Sequence, residues 1–298
     1  MKTYYHLCAD GDDAHNFIIS EADFIVALNL VGVCAANCNV IVVCFSIEDS
    51  HPHFLLFGLY EDCLAFKEMY ERAYCHYIVQ SRGSADDVVF DMEIYPVPDE
   101  DYLMNVGTYI VAQPTKDGKN VMPFDYRWGS GCLYFRREPY VPVWMLDKTG
   151  EILPVRRIGD FLYSERRALL HSRKDVPGDW LVCNGILLPS NYVDVRRFES
   201  IYRTCNCYRT FLTAGRKKDE VVLGKIASLR GVSLEDIEVR RLSKEMCLEM
   251  FGFKDVRRLG GTQRAALARS LRTKYNISFR QLAYIVRLPE SEVRKYVH

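Results

Sequence analysis

The chain has 298 residues, with 39 basic and 39 acidic side chains and 49% apolar ones. That is enough apolar material for two packed domains, and it argues against wholesale disorder. No apolar run reaches the roughly 18 residues that span a bilayer, since Asn29, Asn37 and Asn39 interrupt the longest one, and the first residues lack the apolar core of a signal peptide; no membrane partner and a cytoplasmic location are the expectations.

In chain order, Ser20-Glu21-Ala22-Asp23 is a capping signal ahead of an apolar helix that runs to about Val33. Val40 to Phe45 and Phe54 to Phe57 read as short buried strands, joined as a hairpin by the polar Glu48-Asp49-Ser50. Tyr60 to Gln80 reads as a long helix with Leu64, Met69, Ala73 and Tyr77 on its apolar side. Val88 to Ile94 is a further strand, Pro96-Val97-Pro98 a break, and Asp99 the cap of a helix ending near Pro114. Strand, helix, hairpin, helix, strand, helix is the α+β pattern of a small antiparallel sheet with helices on one face. From Arg136 to Gly215 the signals are mixed; Asn184-Gly185 reads as a tight hairpin turn. Gly215-Arg216-Lys217-Lys218-Asp219 marks a domain boundary. The predicted organisation is therefore 1–135, a connecting region 136–215, and a helical region 216–298.

The last region has a clear pattern. Thr262 caps a helix with Ala265, Ala268 and Leu271 on one face, and Asn276 ends it. Ser278 caps Phe279 to Val286, Arg287-Leu288-Pro289 turns the chain, and Glu290 to Tyr296 follows. Two short helices with the small Ala283 at their crossing describe an all-α helix-turn-helix. Arg280, Gln281, Ser291, Arg294 and Lys295 are its candidate DNA contacts, because such side chains reach phosphates and base edges. Charge is unevenly spread: residues 1–135 hold 7 basic and 20 acidic side chains, residues 253–298 hold 11 and 3. The basic C-terminal end points to a polyanion partner, and the acidic N-terminal region cannot be a broad electrostatic trap for one. Ser278-Phe279-Arg280-Gln281-Leu282-Ala283 also resembles the C-terminal DNA-binding domains of bacterial replication initiators.

Eleven cysteines, an odd number, argue against a disulfide framework. The close pairs, Cys34/Cys38 and Cys205/Cys207, lack the spacing of a zinc ribbon, so reduced and mostly buried thiols are expected.

Two further motifs bear on chemistry. His51-Pro52-His53 would put both imidazoles on one face of a strand, where they can share a divalent ion. Pro52 cannot donate to a ladder, so the strand must have an edge or a bulge there. No second copy of the motif exists, which sets aside a two-histidine phosphoesterase. Tyr109 and Gln113, four apart on a helix, would project together. Among nineteen tyrosines, Tyr95 and Tyr102 are rivals, but neither has Gln or Asn four residues on.

Taken in order, His51/His53, Tyr109-x-x-x-Gln113 and Met122-Pro123-Phe124-Asp125-Tyr126-Arg127-Trp128-Gly129-Ser130-Gly131 resemble the single-tyrosine HUH transposases, nearest to the REP-associated branch. The resemblance covers residues 1 to 135. It implies a ferredoxin- or RRM-like sheet, Mg²⁺ or Mn²⁺ held by His51, His53 and Gln113, and Tyr109 as the nucleophile. The implied reaction cleaves single-stranded or hairpin DNA through a 5′-phosphotyrosine link, with the helix-turn-helix binding duplex and a homodimer left open. The alternatives are a domesticated relative that binds DNA without cutting it, and a transcription regulator with an unrelated sensor domain.

Overall fold

The computed structural model describes residues 1–9, 17–85, 88, 91–116, 121–136, 141–213, 222, 236–275, 277 and 279–296. They fall into two units, Met1–Val222 and Leu223–His298. Residues 136–213, expected as a connecting region, lie within the first unit. The predicted boundary at 215–219 lies outside the described residues.

The first unit is α+β. Its strands are β1 (Thr3–Ala9), β2 (Ile41–Ile47), β3 (Pro52–Gly58) and β4 (Met92–Pro96), all antiparallel, in the order β2-β3-β1-β4. Between them lie α1 (Glu21–Asn37) and α2 (Tyr60–Arg82), and α3 (Glu100–Val111) follows β4. Ser20 and Asp23 start α1 reciprocally: the Ser20 hydroxyl accepts from the Asp23 amide, and the Asp23 carboxylate accepts from the Ser20 and Ile19 amides at 2.9 and 3.0 Å. Asp99 caps α3 by accepting from the Tyr102 amide at 2.7 Å. Pro52 sits at the first residue of β3, opposite Ile47. The strand is internal, and only its first position lacks a donor, which a sheet tolerates.

Registry sorts the side chains of the sheet. Leu7 and Phe54 face each other and point to α1 and α2, where Phe54 meets Phe66 and Tyr70 at 5.4 and 5.1 Å between ring centres. The buried face of α2 is Cys63, Phe66, Tyr70, Tyr74 and Tyr77. The predicted positions Leu64, Met69 and Ala73 are only half-buried. The offset has a cause: the tyrosine rings go inward because each hydroxyl finds an acceptor, Ala27 O for Tyr70, Phe17 O for Tyr74 and the Asp23 carboxylate for Tyr77.

Helix α1 is buried around its circumference because it has packing partners on two sides. One side meets α2 and the sheet; the other meets α5 (Tyr163–Leu170) and a small sheet of β5 (Val155–Arg157), β6 (Leu181–Cys183) and β7 (Ile186–Leu187). β6 and β7 join at Asn184-Gly185, both with positive φ (48° and 77°), the geometry of a type I′ turn. Asn29, fully buried, ties the layers: its amide donates to Leu169 O and Gly185 O at 3.0 and 2.9 Å and accepts from the Leu187 amide at 2.8 Å.

The outer edge of β2 is closed by chain from elsewhere. Ser46 bridges Gly129, the Ser130 amide donates to Phe45 O, and the Asp194 amide donates to Val42 O. Tyr126 donates to Ile47 O at 2.6 Å and Trp128 stacks on Phe24 at 4.7 Å. The 122–131 segment therefore acts here as a strap along the sheet edge. Helices α6 (Val195–Tyr202) and α7 (Cys205–Leu212) complete the unit against α3.

The second unit has α8 (Asp236–Phe251), α9 (Gly261–Tyr275), α10 (Phe279–Val286) and α11 (Glu290–Tyr296). Its core joins Cys247, Leu267, Ala268, Leu271, Leu282, Val286 and Val293. Helix α9 starts at Gly261, one residue ahead of the predicted cap, and the Gly260 amide donates to the Gln263 side chain at 3.1 Å. The last two helices begin and end where the sequence places them. Asn276 and Ser278 lie outside the described residues. No helix among the described residues is long and apolar enough to cross a membrane.

Candidate active site and metal centre

The sheet face turned away from α1 and α2 carries polar side chains in two cross-strand rows. One row is Ser46, His53, Cys8 and Glu93; the next is Cys44, Leu55, His6 and Tyr95. Residues paired across an antiparallel ladder share a face, and residues two apart on a strand do too. So His6 and Cys8 of the central β1 adjoin His53 of β3. Helix α3 covers this face: Cys44 Sγ lies 3.9 Å from Gly107 O.

Tyr109, on α3, meets both histidines edge-on, with ring centres 6.2 Å from His6 and 5.7 Å from His53. The two imidazoles stack at 5.8 Å, nearly parallel at 16°. His6 also lies 6.2 Å from Tyr95. Potential ligand atoms of His6, Cys8 and His53 all lie within 4.8 Å of one another. The cluster is closed to solvent: His6 is 0%, Cys8 2%, His53 3% and Tyr109 8% exposed.

His51 precedes β3, in the turn after β2. Its ring lies 4.6 Å from His53, and its Nδ1 is 2.8 Å from the Ser50 hydroxyl. The same turn holds the buried Glu48, whose carboxylate accepts from Ser46 Oγ and whose amide donates to His51 O. The structure thus sets Tyr109 against His53 and His51 beside His53, but His51 lies ahead of β3 and not on the strand face where the sequence placed both imidazoles. Gln113 is less simply placed. α3 ends at Val111, and Gln113 opens a separate short helix, α4 (Gln113–Lys116), so its relation to Tyr109 is not that of one continuous helix. It is buried, and its Nε2 has no hydrogen-bond partner among the described residues.

Of the rival tyrosines, Tyr95 donates to Glu93 at 2.5 Å. Tyr102 is buried, and burial pushes its hydroxyl pKa well up, with Cys8 and Tyr109 adding to the rise.

His6 and Cys8 are what sequence reasoning missed. Their signal was the alternation Tyr4, His6, Cys8, but only the pairing of Cys8 with His53, forty-five residues away, makes it meaningful. As a donor set, two imidazoles and a thiol fit an ion that accepts nitrogen and sulfur. They fit Mg²⁺ poorly, since that ion takes oxygen ligands in an octahedral shell.

In the second unit Arg280, Ser291 and Lys295 are exposed and Gln281 is half-buried. Arg294 pairs with Glu290 at 2.8 Å and lies 4.7 Å over the Phe279 ring. A groove of about 960 Å³ is lined by Lys244, Lys254, Arg257 and Arg287, with Asp255 and Tyr284. This basic groove was not anticipated.

Compared with known proteins, the chain matches no family model, no curated protein and no solved structure.

Proposed function

We propose that the chain is a metal-dependent DNA strand transferase of the single-tyrosine HUH kind, with a helix-turn-helix as its targeting module. The observation that carries this reading is Tyr109 set edge-on over two buried histidines on one face of a four-stranded antiparallel sheet. The strand order β2-β3-β1-β4 is that of a ferredoxin-like sheet, which suits the reading.

In the proposed reaction Tyr109 Oη loses its proton and attacks a phosphorus of a splayed single strand or hairpin. An O–P bond forms to tyrosine and the 3′-oxygen leaves as a hydroxyl, giving a 5′-phosphotyrosine link. The link retains the phosphodiester's energy, so a second 3′-OH can reverse the step without ATP. A divalent ion on the histidine side, with His51, His53 and Gln113 as the ligands the resemblance implies and Mg²⁺ or Mn²⁺ as its ion, would neutralise charge on the phosphate. His6 holds the Tyr109 ring from the strand side. Tyr109 is 8% exposed, so a phosphodiester reaches it only when the chain around α3 and α4 shifts. The last two helices, with Arg280, Gln281, Ser291, Arg294 and Lys295, would hold duplex DNA, and the basic groove beside them adds positive charge.

The near-complete burial of the cluster favours a second reading, a relative that kept fold and DNA binding but does not cut. The deciding experiment incubates the chain with labelled hairpin DNA and Mn²⁺ and resolves it on a denaturing gel beside Tyr109→Phe. A covalent band in the wild type alone supports strand transfer. Salt-sensitive binding with no band in either supports the second reading.

A further inference from the structure

The donor set at the sheet face implies a different ion from the one the sequence suggested. We infer that His6, Cys8 and His53 form a three-ligand site for a borderline-soft divalent ion of the zinc type, with a fourth position on the Tyr109 side. Three observations carry it. The ligand atoms lie within 4.8 Å of one another, close enough to surround one ion. All three residues stand on adjacent strands, fixed by the pairs Cys8↔His53 and His6↔Leu55, so the site is built on paired strands and not on loops. They are 0%, 2% and 3% exposed, so water competes poorly for the position.

The chemistry follows from the atoms. Thiolate and imidazole select zinc-like ions over Mg²⁺. Three protein ligands with one position open is the arrangement of catalytic rather than structural zinc sites. Binding releases the Cys8 thiol proton, leaving a thiolate that offsets half the charge of the ion. His51 lies beside His53 but outside this group. Tyr109 meets both histidine rings edge-on, so a fourth ligand on that side would be a phosphate oxygen during strand transfer. That consequence rests on the strand-transfer reading; ion binding itself does not.

The test uses the full chain carrying Cys205→Ser and Cys207→Ser, which removes one exposed and one half-buried thiol able to take metal adventitiously. Titration with Co²⁺ should give one ion per chain and a thiolate-to-cobalt charge-transfer band in the near ultraviolet. Cys8→Ser should abolish that band, Tyr109→Phe should leave it intact, and a hundredfold excess of Mg²⁺ should not bleach it. Should Cys8→Ser fail to fold, X-ray absorption on the Zn²⁺-loaded chain with Cys8 intact decides: one sulfur at about 2.3 Å and nitrogens at about 2.0–2.1 Å are expected. A shell of nitrogen and oxygen only, or a Co²⁺ spectrum without the sulfur band, overturns the inference. DNA adducts formed with Mg²⁺ beside such a shell would overturn it while leaving strand transfer standing. The sulfur signature without adducts under any ion would uphold it and count against strand transfer.

Discussion

Asn29→Leu should weaken the tie between the two layers of the first unit. Asn29 is fully buried on α1, and its amide satisfies three backbone groups of the segment beyond residue 135: Leu169 O, Gly185 O and the Leu187 amide. Leucine keeps the volume and removes all three bonds. The Leu187 amide is left buried and unpaired, at a cost of about 1–3 kcal/mol. The two carbonyls lie nearer water, and each loses about 0.5–1.5 kcal/mol. The sum is about 4 kcal/mol, a large part of the about 5–15 kcal/mol that holds a domain folded. Trp128, Trp144 and Trp180, the chain's three tryptophans, all lie in the first unit, so their fluorescence in a urea titration reports that unit alone. With a slope of about 3 kcal/mol per molar, the midpoint should fall by about 1 M. A fall below about 0.3 M would refute the reasoning and show that α5 and β7 are held to α1 by apolar packing alone.

Three further outcomes are expected. Burial alone would raise the Asp23 pKa, but the Ile19 amide, the Tyr77 and Ser20 hydroxyls and Arg82 bring it below the usual carboxylate value; its contribution is therefore present above the unfolded pKa and lost as pH falls through the folded one, and Asp23→Asn should flatten the acid limb of a stability–pH profile. A Cβ on Gly107 would meet the Tyr202 hydroxyl at 2.5 Å, so Gly107→Ala should cost about 1–3 kcal/mol in thermal unfolding, and Tyr202→Phe in the same chain should recover part of it; purely additive losses would deny the clash. Arg280→Ala and Lys295→Ala, both at exposed positions, should each weaken duplex binding and lower the salt slope by about 1; an unchanged slope would place the contact elsewhere, the groove at Lys244 and Lys254 being the next candidate.

Local signals were legible where local physics decides. The Ser20/Asp23 box, the Asp99 cap, the Asn184-Gly185 turn and the last two helices each depend on residues within one turn of the chain. The site was legible in part. His53 and Tyr109 carry recognisable spacing, but His6 and Cys8 join them only through strand pairing across the sheet, and one sequence does not encode that registry openly. Gln113 was read on a continuous helix, whereas the helix breaks at Ala112. Asn29, which in the sequence merely interrupts an apolar run, is the polar tie between layers. The buried face of α2 was found at Tyr77 but misplaced at Leu64, Met69 and Ala73, because weighting aliphatic residues overlooks Tyr70 and Tyr74, which bury a ring and satisfy a hydroxyl.

The central claim is tested most directly by digesting the covalent protein–DNA adduct and locating the nucleotide by mass spectrometry. The account predicts a nucleotide 5′-phosphate on Tyr109. Attachment at Tyr95 or Tyr102, or no attached nucleotide on any tyrosine, would contradict it.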